Sequence, residues 1–132
     1  MRKRGTILVV DDEPVIRGLL VRSIARQGYQ VSEATNGREA LELLRIARYD
    51  IVISDIKMPE MDGMELLAEI RSSYPTVSVI LITGYGAEYN SQDVIAAGAD
   101  YYITKPFKNV EIAHTLETLF QRRQRQSQAK QP

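Results

Sequence analysis

Between residues 6 and 120, short apolar runs alternate five times with stretches whose apolar side chains recur at helical spacing. The runs lie at 6–10, 29–34, 51–53, 77–82 and 101–103, and are rich in the β-branched and aromatic residues that suit strands covered on both faces. A first helix is expected after Pro14, a residue favoured in the first helical turn, and should end at Gln27-Gly28, where glycine can take the left-handed cap. A second starts near Asn36-Gly37 and carries Ala40, Leu41, Leu44 and Ala47 at helical spacing. A third spans 63–73 and stops before Tyr74-Pro75. The fourth, at 87–97, is short on large side chains and ends at Gly98; the fifth runs from Asn109 through Phe120 and then loses its apolar stripe. Such alternation predicts an α/β domain, a parallel sheet doubly wound with helices.

At 132 residues the chain has the size of one domain, able to bury about two-thirds of the surface it would expose unfolded. With 44% hydrophobic and 26% charged residues it has the composition of a soluble globular protein. Cysteine is absent, which excludes a disulfide framework, thiol catalysis and a thiolate metal site. Arg2, Lys3 and Arg4 lead into a short apolar run rather than a signal-peptide core, and a cytoplasmic location is expected. The formal charge is zero, yet residues 5–120 hold ten basic against seventeen acidic side chains, because seven positive charges sit at the two ends. A core this acidic should repel nucleic acid. The basic ends read as solvated tails, since they lack aromatic interleaving and a recognition helix. Residues 1–120 are expected to form the domain, with 121–132 a fraying polar helix end followed by a disordered tail or the start of a linker.

Most of the candidate chemistry follows strands. Asp11-Asp12-Glu13 follows the first, Ser54-Asp55 closes the third, Thr83-Gly84 the fourth and Thr104-Lys105-Pro106 the fifth. C-terminal strand edges share one rim of an open parallel sheet, and ligands bind where the strand order reverses. If the order is 2-1-3-4-5, the first and third strands are neighbours and their carboxylates converge. Like charges about 4 Å apart repel by roughly 4 kcal/mol at an effective dielectric of about 20. A hard divalent cation such as Mg2+, which takes one or two carboxylates plus waters and a phosphate oxygen, would neutralise them. Lys105 adds a positive charge and Thr83 a hydroxyl donor, a set suited to phosphoryl transfer.

The segments ILVVDDEP (7–14), SDIKMPEMDG (54–63), LITG (81–84) and GADYYITKPF (98–107) occur in order. They resemble the receiver domains of two-component response regulators, from Lys3 to Phe120. The resemblance implies a flavodoxin-like receiver fold, with five parallel strands in the order 2-1-3-4-5 and five helices. It implies that Asp55 takes a phosphoryl group from a phosphohistidine on a sensor histidine kinase or phosphotransfer protein. Mg2+ would be held by Asp12 directly, by Asp11 largely through a coordinated water, by Asp55 and by the backbone carbonyl of Lys57. Lys105, preceding an expected cis bond to Pro106, would pair with the phosphoryl group, and Thr83 would swing to hydrogen-bond it. Tyr102 occupies the switch-aromatic position and would move inward as Thr83 moves. The fourth helix, fifth strand and fifth helix would then present a changed surface to a downstream protein or an output domain. Lys57 and Tyr85 flank the path of the water that hydrolyses the acyl phosphate, and Tyr85 is expected to shield it.

An alternative is a haloacid-dehalogenase-like Mg2+ phosphatase with Asp55 as nucleophile, but such enzymes place a second acid two residues on, where this chain has Lys57. A flavodoxin-like cofactor binder would need a first loop rich in Ser, Thr and Gly, not Asp11-Asp12-Glu13. The chain is therefore expected to catalyse only its own phosphotransfer and hydrolysis, and to bind neither nucleic acid nor membrane. The single histidine, His114, is expected to be exposed or partly packed; Met58, Met61 and Met64 should pack over the site, and Tyr101 in the core or at the sheet edge.

Overall fold

The β-branched runs become β1 (Thr6–Val10), β2 (Gln30–Ala34), β3 (Ile51–Asp55), β4 (Ser78–Thr83) and β5 (Tyr101–Thr104), connected through α1 (Pro14–Arg26), α2 (Gly37–Ile46), α3 (Gly63–Ser73), α4 (Ser91–Ala96) and α5 (Asn109–Ala129). The computed structural model describes residues 4–84 and 89–129, with side chains as far as Gln126. The strands pair in parallel in the order β2-β1-β3-β4-β5, so the expected doubly wound sheet and its reversal beside β1 and β3 are borne out. Among the described residues no helix is long and apolar enough to cross a membrane.

Alternation of side chains along each strand feeds two cores. Ile7, Val9, Ile51, Ile53, Ile80, Ile82 and Ile103 face Leu20 and Ile24 of α1 and Ile112, Leu116 and Leu119 of α5. Leu8, Val10, Val52, Val79 and Leu81 face Ala40 and Leu44 of α2, Leu66, Leu67 and Ile70 of α3 and Val94 of α4. The central strands are therefore apolar at successive positions instead of alternating with polar ones.

Several boundaries differ from the sequence reading. β3 and β4 extend past their apolar runs to include Asp55 and Thr83, which stay in the parallel ladder although polar. α4 starts at Ser91 rather than at 87, because Asn90 and Asp93 form a reciprocal capping box that fixes its first turn; Ala87 and Glu88 lie outside the described residues. Of the two places expected for Tyr101 it takes the sheet edge and not the core: it is exposed on the edge strand β5, stacked against Tyr102 with ring centroids 6.3 Å apart. Met58, Met61 and Met64 pack into the core on the α2–α3 side of the sheet. His114 is exposed.

α5 continues as helix to Ala129, where a fraying end and disordered tail were expected from Gln121. The cause is Arg123, which folds back onto the N-terminal edge of the sheet. Its guanidinium donates to Thr76 O at 2.6 Å and Ser78 Oγ at 3.0 Å, and lies 3.4 Å from Asp50 Oδ1. Asp50 in turn accepts from the Thr6 N–H at 2.9 Å. At the other end Arg4 is exposed but lies 4.8 Å from the centre of the Tyr29 ring, which stacks on Phe120; Arg2 and Lys3 lie outside the described residues. Arg123→Ala removes these bonds and should lower unfolding free energy by about 1–2 kcal/mol. Circular dichroism and urea titration would check this; unchanged helicity and stability would show the anchor to be inert.

Gly63 opens α3 against the strand end that carries Asp55. Its N–H donates to Ile56 O at 2.7 Å, and a Cβ here would collide with Asp55 O and sit 2.7 Å from Ile56 Cα. The obstacle is backbone, which cannot rotate away. Gly63→Ala is expected to destabilise by roughly 1–3 kcal/mol, the usual range for overpacking, and to displace Asp55. A Tm equal to wild type would refute this close approach.

Candidate metal and phosphoacceptor site

Parallel strands deliver their last residues to one rim, and three acids meet there. Asp55 ends β3 on the side that carries Ile51 and Ile53, and Asp11 follows β1. Asp11, Asp12 and Asp55 each offer a carboxylate oxygen, all within 4.8 Å of one another. Asp11 and Asp55 are buried and Asp12 is exposed, so the cluster is open on Asp12's side.

Asp11 is held by its backbone and one oxygen. Its N–H donates to Ala34 O at 3.1 Å, its carbonyl accepts from Arg17 Nη1 at 2.9 Å, and Oδ1 accepts from the Glu13 N–H at 2.9 Å. Oδ2 is buried and has no hydrogen-bond partner among the described residues. Burial pushes the Asp11 carboxyl up from 3.8 to about 6; the Glu13 N–H opposes this, Asp55 adds repulsion, Lys105 offsets part of it, and Asp12 adds more. Both the orphaned oxygen and the resisted ionisation are what a hard cation among these oxygens would relieve. The cluster is compatible with Mg2+.

Lys105 reaches the centre from the loop after β5 and donates from Nζ to Asp55 Oδ2 at 2.9 Å. Burial alone would pull the lysine down, but the hydrogen bond and charge of Asp55, with Asp11 and Glu13 beyond, hold it above its ordinary value. The following peptide, Lys105-Pro106, is cis. Thr83 is buried at the end of β4, and its carbonyl accepts from the Lys105 N–H at 2.7 Å, so the lysine and threonine positions are tied through the main chain.

The remaining candidates lie around this centre. Lys57 is exposed in the loop after β3. Tyr102 is 36% exposed on β5, its ring stacked with Tyr101 and not among the carboxylates. Tyr85 lies outside the described residues. The sequence reading missed Arg17, whose Nε also bonds Glu33 Oε1 at 2.8 Å. It named Ser54 beside Asp55 but gave it no role; the hydroxyl donates to Asp55 O at 2.9 Å. An arginine five positions after an acid, and a serine beside one, carry no periodicity that would single them out.

Comparison with known proteins agrees with this geometry. The family model described as the response regulator receiver domain matches residues 7–117. The transcriptional regulatory protein SrrA of Staphylococcus aureus is 38% identical over 118 residues, which make up 89% of this chain and 48% of SrrA. The chain thus spans about half the length of the curated relatives it matches. Among solved structures, the response regulator TrrA of Thermotoga maritima, in complex with Mg2+ and BeF, superposes with a TM-score of 0.79 at 38% identity, covering 87% of this chain and 98% of that one. The receiver domain of a signal transduction histidine kinase from Syntrophus aciditrophicus does so with a TM-score of 0.79 at 37% identity, covering 89% and 90%. Strand order, acidic centre and a family match spanning nearly all of both cores lead to one assignment: the chain belongs to the response regulator receiver domain family, a signalling domain and not a conventional enzyme.

Proposed function

We propose that this chain is a cytoplasmic, phosphorylation-activated switch of a two-component phosphorelay, in which Asp55 accepts a phosphoryl group from a sensor histidine kinase or phosphotransfer protein. The observation that carries this reading is the Asp55 carboxylate at the rim, within 4.8 Å of two further acids and bonded to Lys105 Nζ at 2.9 Å. An Asp55 oxygen attacks phosphorus in line. Its O–P bond forms as the N–P bond to the donor imidazole breaks, and the electron pair leaves on the ring nitrogen. Because positioning and charge neutralisation dominate phosphoryl transfer, the burden falls on the groups around the transferred phosphoryl.

Asp12, Asp11 through a coordinated water, Asp55 and the Lys57 carbonyl are assigned as the Mg2+ site; the bound ion would supply charge neutralisation. Lys105 leaves its bond to the bare carboxylate for a phosphoryl oxygen. The Thr83 hydroxyl donates to another, and Tyr102 moves inward behind it, altering the surface formed by α4, β5 and α5. We assign residues 1–120 to the receiver and 121–132 to a polar helix end followed by a tail or the start of a linker toward an output domain or partner protein. Catalysis is limited to the domain's own phosphotransfer and hydrolysis, with nucleic acid and membrane contacts outside it. The length and regulatory role in SrrA's name support an output beyond this segment.

Incubation with a small phosphodonor such as acetyl phosphate and Mg2+, followed by intact mass measurement, tests the assignment. The expected result is one added phosphoryl mass, lost when the cation is chelated. A folded protein that gains no mass under these conditions would sink it.

A further inference from the structure

The acidic loop after β1 has an unusual support. Arg17, in the first turns of α1, is a largely buried cation, its side chain 15% exposed. It does not approach the carboxylates as a hydrogen-bonding partner. Its Nη1 donates instead to the main-chain carbonyl of Asp11 at 2.9 Å, while Nε donates to Glu33 Oε1 on β2 at 2.8 Å. Glu33 stands opposite Val9 in the parallel ladder, so the arginine braces the end of β1 against its neighbour strand from the side of α1.

That carbonyl belongs to the peptide joining Asp11 to Asp12. Asp11 is already fixed by its N–H on Ala34 O and by Oδ1 on the Glu13 N–H. Tying down the carbonyl fixes the plane of the following peptide, and with it the direction from which the Asp12 side chain leaves the backbone. Asp12 is the exposed acid of the three and, among the described residues, its carboxylate makes no hydrogen bond, so the backbone is what orients it. Glu33 meanwhile balances the guanidinium charge, so the brace adds little net positive field that would compete with a cation for the acids. Lysine could not do the same work, because a single ammonium lacks the planar fork that spans two acceptors in fixed directions.

We infer that Arg17 is a positioning residue for the acidic centre, holding the Asp11–Asp12 peptide in the orientation that binds the divalent cation, with Glu33 as its anchor. This rests on the Mg2+ assignment made above for Asp11, Asp12 and Asp55. Residues that orient the ligands of a metal commonly change its affinity about 10- to 100-fold when replaced.

The test is calorimetric titration of the full chain with Mg2+ at pH 7.5, alongside thermal unfolding. Arg17→Met is expected to weaken Mg2+ binding about 10-fold or more, and Arg17→Lys by a similar factor although the charge is kept. Glu33→Gln, whose amide oxygen still accepts from Nε but leaves the guanidinium charge unbalanced, should weaken Mg2+ binding by less than either arginine variant. With a small phosphodonor, both arginine variants should need more Mg2+ to reach half-maximal rate while approaching the wild-type rate at saturation. A brace that served stability alone would lower Tm and leave the Mg2+ constant unmoved. If Arg17→Met does not fold, Arg17→Lys decides by the same titration. Wild-type affinity in the folded arginine variant overturns the inference and leaves the metal assignment standing; failure of wild type to bind Mg2+ overturns both.

Discussion

Asp55→Asn is expected to abolish phosphoryl incorporation from a small phosphodonor, a loss of at least about 100-fold, while the protein remains folded. The substitution preserves shape and keeps an oxygen that can accept the 2.9 Å bond from Lys105 Nζ. It removes the charge that makes the carboxylate a nucleophile, since a neutral amide oxygen attacks phosphorus poorly and does not form the acyl phosphate. Two effects on the fold oppose one another. Asp55 no longer repels Asp11, which relieves strain, but Lys105 loses the partner that holds its ammonium above its ordinary value. A raised lysine stabilises the folded state at every pH below its unfolded value and loses that contribution only as pH rises through the folded one, above 10.5. The variant therefore gives up some of that support at neutral pH while gaining relief among the acids, and a cooperative transition near that of wild type is expected. Intact mass after incubation with acetyl phosphate and Mg2+ is the measurement. A phosphoryl mass that persists in Asp55→Asn would move the acceptor elsewhere, with Asp12, the exposed acid of the cluster, the first place to look.

The sequence reveals the centre because its chemistry sits at breaks in the hydrophobic pattern. Asp11, Asp55, Thr83 and Lys105 each terminate an apolar run, and a parallel sheet carries all such ends to one rim. Their buried positions are less legible. Asp55 and Thr83 belong to the strands themselves, and polarity alone places them in the loops; what keeps them in the ladder is pairing with Ile82 and Thr104 on adjacent strands, a long-range property. Arg17 fails to stand out for the same reason. Glu33 is sixteen residues away in sequence and becomes its neighbour only once β2 lies beside β1.

The segment that follows the core misleads in the opposite direction. The segment after Phe120 has no apolar stripe and reads as a segment with nothing to bury, yet the helix persists to Ala129. Its tether is polar. Arg123 reaches unpaired acceptors at the start of β4 and Asp50 at the start of β3, acceptors that exist only because parallel strands begin together at the pole opposite the acids. Tyr101 shows what the pattern leaves open: an aromatic residue in a strand suits core or edge, and only the strand order, with β5 at the edge, leaves it 38% exposed.

Asp11→Asn should make the metal-free protein more stable at pH 7.5, by about 2 kcal/mol, while removing most of the stabilisation that Mg2+ confers. The Asp11 carboxyl is pushed from 3.8 to about 6, first by burial, against the opposing Glu13 N–H, and further by Asp55. The sign follows from proton counting. Between those two values the folded state holds a proton that the unfolded state has released, so stability falls as pH rises through the window. Below about 4 the carboxyl is neutral in both states and exacts no penalty; above about 6 the penalty is complete, on the order of 3 kcal/mol for a displacement of this size. An asparagine keeps the acceptor for the Glu13 N–H and carries no charge, so it escapes most of that penalty. Urea titrations without divalent cations should show the variant's advantage at pH 7.5 shrinking toward pH 4. Wild type should recover stability as Mg2+ is added, because a ligand that binds only the folded state shifts the equilibrium by its own occupancy. The variant, lacking one of three carboxylates, should recover little. An advantage equal at both pH values would show that charge burial is not its source, and a variant less stable than wild type at pH 7.5 would mean that the Asp11 carboxylate is held by interactions stronger than the repulsion and burial that oppose it.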